Sequence, residues 1–210
     1  STGSNATVGH GLNATPQFII VKNTDNNNNW HVYHEALGNT KFLYLDLNYA
    51  EDTSSTIWND TSPTSTVFSL GSGNGVNSSS NHEYMAYCWC NKPGLQRFGK
   101  YTGNGQSGNG AYVELGFKPA LLITKKYSST SNWLVWDKGR SPYNLCNNYM
   151  YVNDNQGETT DGSNGVDFLA NGFKLYNNYT DANNDNADYI YMAWAETPFR
   201  NIYGATGTAR

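Results

Sequence analysis

The residues best suited to chemistry lie in one acidic stretch, Asp181-Ala-Asn-Asn-Asp-Asn-Ala-Asp188. Asp181, Asn183, Asp185 and Asp188 offer oxygens at nearly every second residue, the spacing at which a loop wraps hard ligands around Ca²⁺. The stretch departs from a helix-flanked calcium loop at two points. Asn186 stands where the sharp turn needs glycine, and Met192 stands where a bidentate glutamate would close the site. No cofactor is expected: Ca²⁺ is the ion these four residues could hold, and the bland reading set beside it is a solvated turn rich in Asn and Asp.

Sugar recognition is the second chemistry in view, because an indole ring offers a flat apolar face with a polar edge. Trp58 sits in the polar run Glu51–Asp60, and Trp136 alternates with apolar residues in Trp133-Leu-Val-Trp-Asp137. Both are expected as ligand-binding residues, Trp58 the stronger. His31, His34 and Glu35 resemble metal ligands only in composition, because strand positions 31 and 34 face opposite sides of a sheet. The carboxylates Glu35, Glu51, Glu83, Glu114, Glu158 and Glu196 are scattered, and no motif pairs two of them across a cleft as glycoside hydrolysis requires. Nucleophile-elbow, zinc-protease and phosphate-loop patterns are missing. The expectation is a protein without catalytic residues.

The elements that position these side chains are written twice. Trp30-His-Val-Tyr-His34 matches Trp133-Leu-Val-Trp-Asp137, and Pro16-Gln-Phe-Ile-Ile-Val-Lys22 matches Pro119-Ala-Leu-Leu-Ile-Thr-Lys125, both at an offset of 103. Leu47-Asn48 with Val152-Asn153, Phe68-Ser-Leu70 with Phe173-Lys-Leu175, and Tyr84–Pro93 with Tyr189–Pro198 follow at 105. Ser1-Thr-Gly3 aligns with Tyr101-Thr-Gly103. Such a series reads as two tandem units of roughly 100 residues, 1–98 and 99–210. Matched Trp30 and Trp133, like matched Trp89 and Trp194, read as core aromatics. The strand Gly94–Tyr101 leads into the second unit and has no counterpart ahead of the first, so the chain reads as a piece of a longer polypeptide.

Only 14% of the residues are charged, and the net charge is −4. With Lys125-Lys126 as the densest basic cluster, nucleic acid is not an expected partner. No apolar run approaches the ~18 residues that span a bilayer, so membrane insertion is not expected. The three cysteines are expected as free thiols: Cys88 and Cys90 lie two apart on one strand face and cannot readily bridge. That suits manufacture in a reducing cytoplasm.

Short alternating runs between Gly, Asn and Ser clusters predict strands at 18–22, 30–34, 42–48, 67–70 and 84–90, and at 121–125, 133–137, 149–153, 172–175 and 189–195, with polar loops at 49–65, 71–82, 154–165 and 176–187. This is an all-β pattern, a lectin-like or jelly-roll-like β-sandwich. Two small sandwiches are possible on this pattern, and one shared pseudo-symmetric sandwich is favoured, since each unit alone has few Leu, Ile and Val.

An ordered series of segments resembles a repeat domain of marine phage structural proteins, including tail-fibre-like and appendage proteins of cyanophages. It comprises Thr7-Val-Gly-His-Gly-Leu12, Pro16–Lys22, Trp30–His34, Trp58-Asn59, Pro63–Gly71, Tyr84-Met-Ala-Tyr87, Phe98-Gly-Lys-Tyr-Thr-Gly-Asn-Gly105, Gly116-Phe-Lys-Pro119, Val166-Asp-Phe-Leu-Ala-Asn-Gly-Phe-Lys174 and Tyr191-Met-Ala-Trp-Ala-Glu-Thr-Pro-Phe199. It departs at Asn13-Ala-Thr15, where a glycine is expected before the Pro-led strand. The resemblance implies a virion protein, made in the host cytoplasm and carried on the particle surface. Its implied partners are other virion chains, a homo-oligomer among them, and a host cell-surface glycan met through the loops. The alternatives are a purely structural fibre or decoration subunit and a polysaccharide-degrading enzyme.

Overall fold

The computed structural model describes residues 1–161 and 165–197. The protein is all-β, with sixteen strands and two four-residue helices among the described residues. No helix among them is long and apolar enough to cross a membrane. The chain divides into two compact units, Ser1–Cys90 and Asn91–Arg210.

In the first unit, β2 (Phe18–Asn23) is an interior strand of a five-stranded antiparallel sheet in the order β5-β4-β3-β2-β7. The partners are β3 (His31–His34), β4 (Lys41–Tyr44), β5 (Asp52–Thr53) and β7 (Tyr84–Trp89). Four consecutive β2 residues, Phe18–Val21, are buried, as expected of a strand covered on both faces. A second, two-stranded sheet pairs β1 (Ala6–Gly9) with β6 (Val67–Leu70). Ile19, Val21, Tyr33 and Phe42 from the large sheet and Phe68 and Leu70 from β6 form one apolar cluster, closed by Ile57, Trp58 and Val76.

The last three residues come from two single-turn helices, α1 (Ser55–Trp58) and α2 (Asn74–Asn77), inside segments expected to be loops. The sequence hides them because one turn is too short to show a 3.6-residue period. Ser54 caps α1 by accepting from the Thr56 amide at 3.2 Å, and Asn59 stops it in the left-handed region at φ 52°.

The second unit has a six-stranded antiparallel sheet in the order β13-β12-β11-β10-β16-β8. Its strands are β8 (Gln96–Thr102), β10 (Pro119–Lys126), β11 (Trp133–Asp137), β12 (Asn148–Tyr151), β13 (Thr159–Thr160) and β16 (Asp188–Ala195). A three-stranded sheet sets β15 (Gly172–Leu175) between β14 (Val166–Leu169) and β9 (Tyr112–Glu114). Its core gathers Leu122, Leu134, Trp136, Tyr149, Phe168, Phe173 and Leu175 with Tyr101, Tyr189 and Tyr191. The division at 90/91, rather than 98/99, has a simple cause: β8 pairs along β16 from Asp188↔Thr102 to Trp194↔Gln96, so the whole strand belongs to the second unit.

Candidate functional site

Among the described residues the two units differ at the outer edge of their last strand. In the second unit β8 covers that edge, and Tyr101 fills the space behind it. The Tyr101 ring stacks on Tyr189 at a centroid distance of 5.0 Å and meets Phe173 and Tyr191 edge-on or tilted, at 5.9 and 6.5 Å. Its hydroxyl donates to the Ala182 carbonyl at 2.7 Å. Burial, with Tyr189 adding to it, holds the Tyr101 phenol well above its ordinary value, so it remains a neutral donor.

In the first unit β7 is one of the two edge strands among the described residues, and Met85, Ala86 and Tyr87 are exposed along it. Behind it lies a cavity of about 540 Å³, walled by Phe68, Leu70, Val76 and Tyr84 and rimmed by Ser1, Thr2 and Glu83. Glu83 accepts from the Thr24 amide at 3.0 Å through its carbonyl. By the alternation of an antiparallel ladder, the N–H and C=O groups of Tyr84, Ala86 and Cys88 then turn to the outer edge.

The frames around the two places correspond bond for bond. Asn77 is buried; its Oδ1 accepts from the Thr2 amide at 2.7 Å, and its Nδ2 donates to the Ser4 carbonyl at 2.6 Å and the Gly71 carbonyl at 3.0 Å. Asn183, also buried, accepts from the Asn104 amide at 3.0 Å and donates to the carbonyls of Gln106 and Asn177 at 3.5 and 2.5 Å. Tyr84 Oη accepts from the Ser78 amide and donates to the Asn74 carbonyl, at 2.8 and 2.7 Å. Tyr189 Oη does the same with Asn184 and Thr180, at 2.9 and 2.7 Å. Gly103 N donates to Ala187 O at 2.8 Å, and the Ser1 ammonium to His82 O at 3.4 Å. Ser1 therefore sits in the place of Gly103, two residues beyond the alignment expected from Thr-Gly. Tyr101 has no counterpart among the described residues of the first unit.

A family model described as a domain of unknown function (DUF7483) matches residues 1–198. The chain belongs to the DUF7483 family. No curated protein and no solved structure matches it.

Within this DUF7483 chain the expected ligand-binding tryptophans are core residues. Trp58 is 2% exposed; its indole N–H donates to the Lys41 carbonyl at 3.1 Å and its ring meets Tyr33 edge-on at 5.8 Å. Trp136 is fully buried beside Tyr149. Neither offers a face to a sugar, which corrects both expectations. Trp58 misleads because its polar neighbours cap a helix turn that swings the indole inward. Trp133 is fully buried, whereas Trp30, Trp89 and Trp194 are half-buried.

The acidic stretch does not converge on a cation. Asp181 accepts from Ser131 Oγ at 2.5 Å, Asn183 ties backbone as described, and Asp188 accepts from Thr102 Oγ1 at 2.8 Å. Asp185 accepts from its neighbour Asn186 at 3.0 Å. Among the described residues no three His, Cys, Asp or Glu side chains gather as metal ligands. The alternation of oxygens follows from turn and tie positions, each facing a different protein partner.

His31 and His34 are both buried in β3 on opposite faces. Cys88 and Cys146 are thiols outside any disulfide, and burial pushes each up to about 11, which keeps them protonated and poorly nucleophilic near neutrality. A smaller cleft of about 200 Å³ beside Cys146 is lined by Lys118, Lys138, Tyr143 and Phe168. Both lysines of this cleft are ion-paired with Glu196.

Sequence reasoning missed Tyr84, Ala86, Asn77 and Asn183.

Proposed function

We propose that the chain is a structural module of a virion appendage, a tail-fibre or decoration domain, that works by joining other protein chains and has no catalytic role. In this reading each unit is a two-layer β-sandwich, and the second unit is a tandem copy of the first. The observation that carries it is the repeated frame, in which side chains that could do chemistry are spent on holding loops. Lys22 Nζ donates to the Asn28 carbonyl and Lys125 Nζ to the Ser131 carbonyl, at 2.5 and 2.6 Å, an offset of 103 in both partners. The Trp30 amide donates to Asp46 Oδ1 and the Trp133 amide to Asn153 Oδ1, at 3.0 and 2.7 Å. With His31↔Tyr44 and Leu134↔Tyr151 paired alike, the offset here is 107. Asp46, not Asn48, is then the counterpart of Asn153.

The virion setting rests on the resemblance of the ordered segments to marine phage fibre and appendage repeats. Burial of Trp58 and Trp136 favours the purely structural reading over glycan recognition. Mass spectrometry of particles purified from a phage that encodes the chain tests it. The protein should be present in stoichiometric amount, and its absence from the particle would overturn the reading.

Glycan contact keeps one supporting observation: Tyr143 and Tyr49 are 83% and 55% exposed on loops. A glycan array probed with the wild-type chain and with Tyr143→Ala decides it, since binding unchanged by that substitution, or no binding, leaves the structural role alone.

A further inference from the structure

We propose that the cleft beside Tyr143 binds one ring of an acidic sugar, a hexuronate, with the ring on the face of Tyr143 and its carboxylate on Lys118 and Lys138. The inference rests on the glycan-contact reading above and narrows it to one class of sugar.

Loop length supplies the first argument. In the first unit β3 and β4 are joined by six residues, 35–40, whereas in the second β11 and β12 are joined by ten, 138–147. The offset between matched residues rises accordingly, from 103 at Trp30 and Trp133 to 107 at Tyr44 and Tyr151. The longer loop builds most of the cleft, contributing Lys138, Ser141, Tyr143 and Cys146 to its lining. The shared strands hold a core, so a wall that only one unit has is free to serve a ligand.

The fixing of that loop supplies the second argument. Asn144 clamps it to β14: its Nδ2 donates to the Phe168 carbonyl at 3.2 Å, and its Oδ1 accepts from the Phe168 amide at 3.0 Å. Cys146 exchanges both backbone hydrogen bonds with Val166, at 2.9 and 3.0 Å. The Arg140 amide donates to Asp137 Oδ1 at 2.9 Å, and the Asn148 amide to Ser141 Oγ at 3.2 Å. A loop tied this well still presents Tyr143 at 83% exposure, the one large hydrophobic residue exposed within 138–147. A held-out tyrosine is a contact surface that loses little freedom on binding. Alone among polar neighbours it lacks the apolar core of a protein interface. Its flat face beside a small polar cleft suits a sugar ring instead.

Charge and size supply the third. Lys118 and Lys138 line the cleft, and among the described residues no carboxylate does. Glu196 pairs with both, at 3.1 Å from Lys118, and stands outside the lining. It fixes the two ammonium groups at the wall without filling the cleft, and two positive charges against one negative leave that wall cationic. The lysine side chains remain 44% and 34% exposed, open to a second carboxylate. The volume of about 200 Å³ lies below the roughly 300–1,000 Å³ of drug-sized sites, which limits the occupant to one ring.

The test titrates the full, isotope-labelled chain with trisaccharides of galacturonic, glucuronic and guluronic acid, and with their methyl esters, which keep the rings and lose the charge. At least one acid should shift the backbone amide signals of 138–147 and bind about fivefold more tightly than its ester, an advantage that shrinks as salt is added. Tyr143→Ala should weaken acid and ester alike, by about tenfold, since both use the ring. Lys118→Gln should bring the acid down to the affinity of its ester and leave the ester unchanged, because Glu196 then balances the one remaining lysine. Lys138→Gln gives the same readout should Lys118→Gln fail to fold. No acid bound at millimolar concentration, shifts confined to other loops, or tighter binding of the acid that survives both lysine variants would each overturn the proposal. So would concentration-dependent shifts of 138–147 without sugar, which would name a second copy of the chain as the occupant. The esters separate the two ideas. Equal binding of acid and ester that Tyr143→Ala removes rejects the hexuronate and keeps glycan contact; no binding of either, with a silent glycan array, rejects both.

Discussion

Tyr101 lies flat against Tyr189, with ring centroids 5.0 Å apart and ring planes 8° from parallel. The two hydroxyls donate to different carbonyls of one segment, Tyr101 to Ala182 and Tyr189 to Thr180, each at 2.7 Å. The stacked pair thereby ties the Asn-rich run before β16 to two neighbouring strands at once.

Tyr101→Phe should keep the stack and lose the hydrogen bond, lowering unfolding free energy by about 1 kcal/mol. Tyr101→Ala should cost about 3–5 kcal/mol, the range for emptying a buried aromatic site. Urea unfolding monitored by tryptophan fluorescence measures both; equal costs for the two variants would place the stabilisation in the hydroxyl instead of the ring.

Much of the fold was legible because burial leaves a periodic trace. Phe18-Ile-Ile-Val21 and Leu121-Leu-Ile123 read as covered strands; both are interior strands paired along both edges, the first buried throughout and the second half-buried at Leu121 and Ile123. The candidate sites were not legible, because a polar neighbourhood in sequence says little about where a side chain ends. Trp58 follows Thr56 and Ile57 and precedes Asn59, yet one helical turn buries it. Asn77 and Asn183 look like loop filler, and each supports a loop through bonds to residues far along the chain. Such ties have no period and no motif; they emerge only when the loop is folded over them.

Trp58→Ala should therefore be a stability variant. It removes a fully enclosed indole and its bond to Lys41 O, with an expected loss of about 3–5 kcal/mol. The milder Trp58→Phe should fold and should leave any glycan binding of the wild-type chain unaltered. A selective loss of such binding in Trp58→Phe, with an unchanged melting temperature, would restore Trp58 as a binding residue.

Asp181 should matter through Ser131 and not through a cation. Asp181→Ala orphans a buried hydroxyl donor that now sits 2.5 Å from Asp181 Oδ1, at an expected cost of about 1–3 kcal/mol. Millimolar calcium or a chelator should leave the melting temperature of the wild-type chain unmoved. A calcium-dependent rise that Asp181→Ala removes would return this loop to the class of cation sites.

His31 should make the first unit acid-sensitive. Its Nδ1 lies 3.0 Å from the Asn29 carbonyl, and its ring is boxed by Phe42 and Tyr44, with centroids 5.5 and 5.0 Å away. The backbone of Gly75 closes the remaining side so tightly that an added Cβ would come within 2.0 Å of the ring. Burial lowers the imidazole from 6.5 to about 4, outweighing the Asn29 carbonyl and Asp46, which pull the other way. The folded protein thus binds this proton less readily than the unfolded chain. The associated stability is complete above about pH 6.5 and is lost as the pH falls toward 4, by about 3 kcal/mol in all. His31→Leu, which installs the residue found at the matched position Leu134, should flatten this part of the profile while keeping the core filled. Denaturant midpoints measured from pH 7.5 to 4 in both proteins check it: equal slopes would show that the acid sensitivity arises elsewhere.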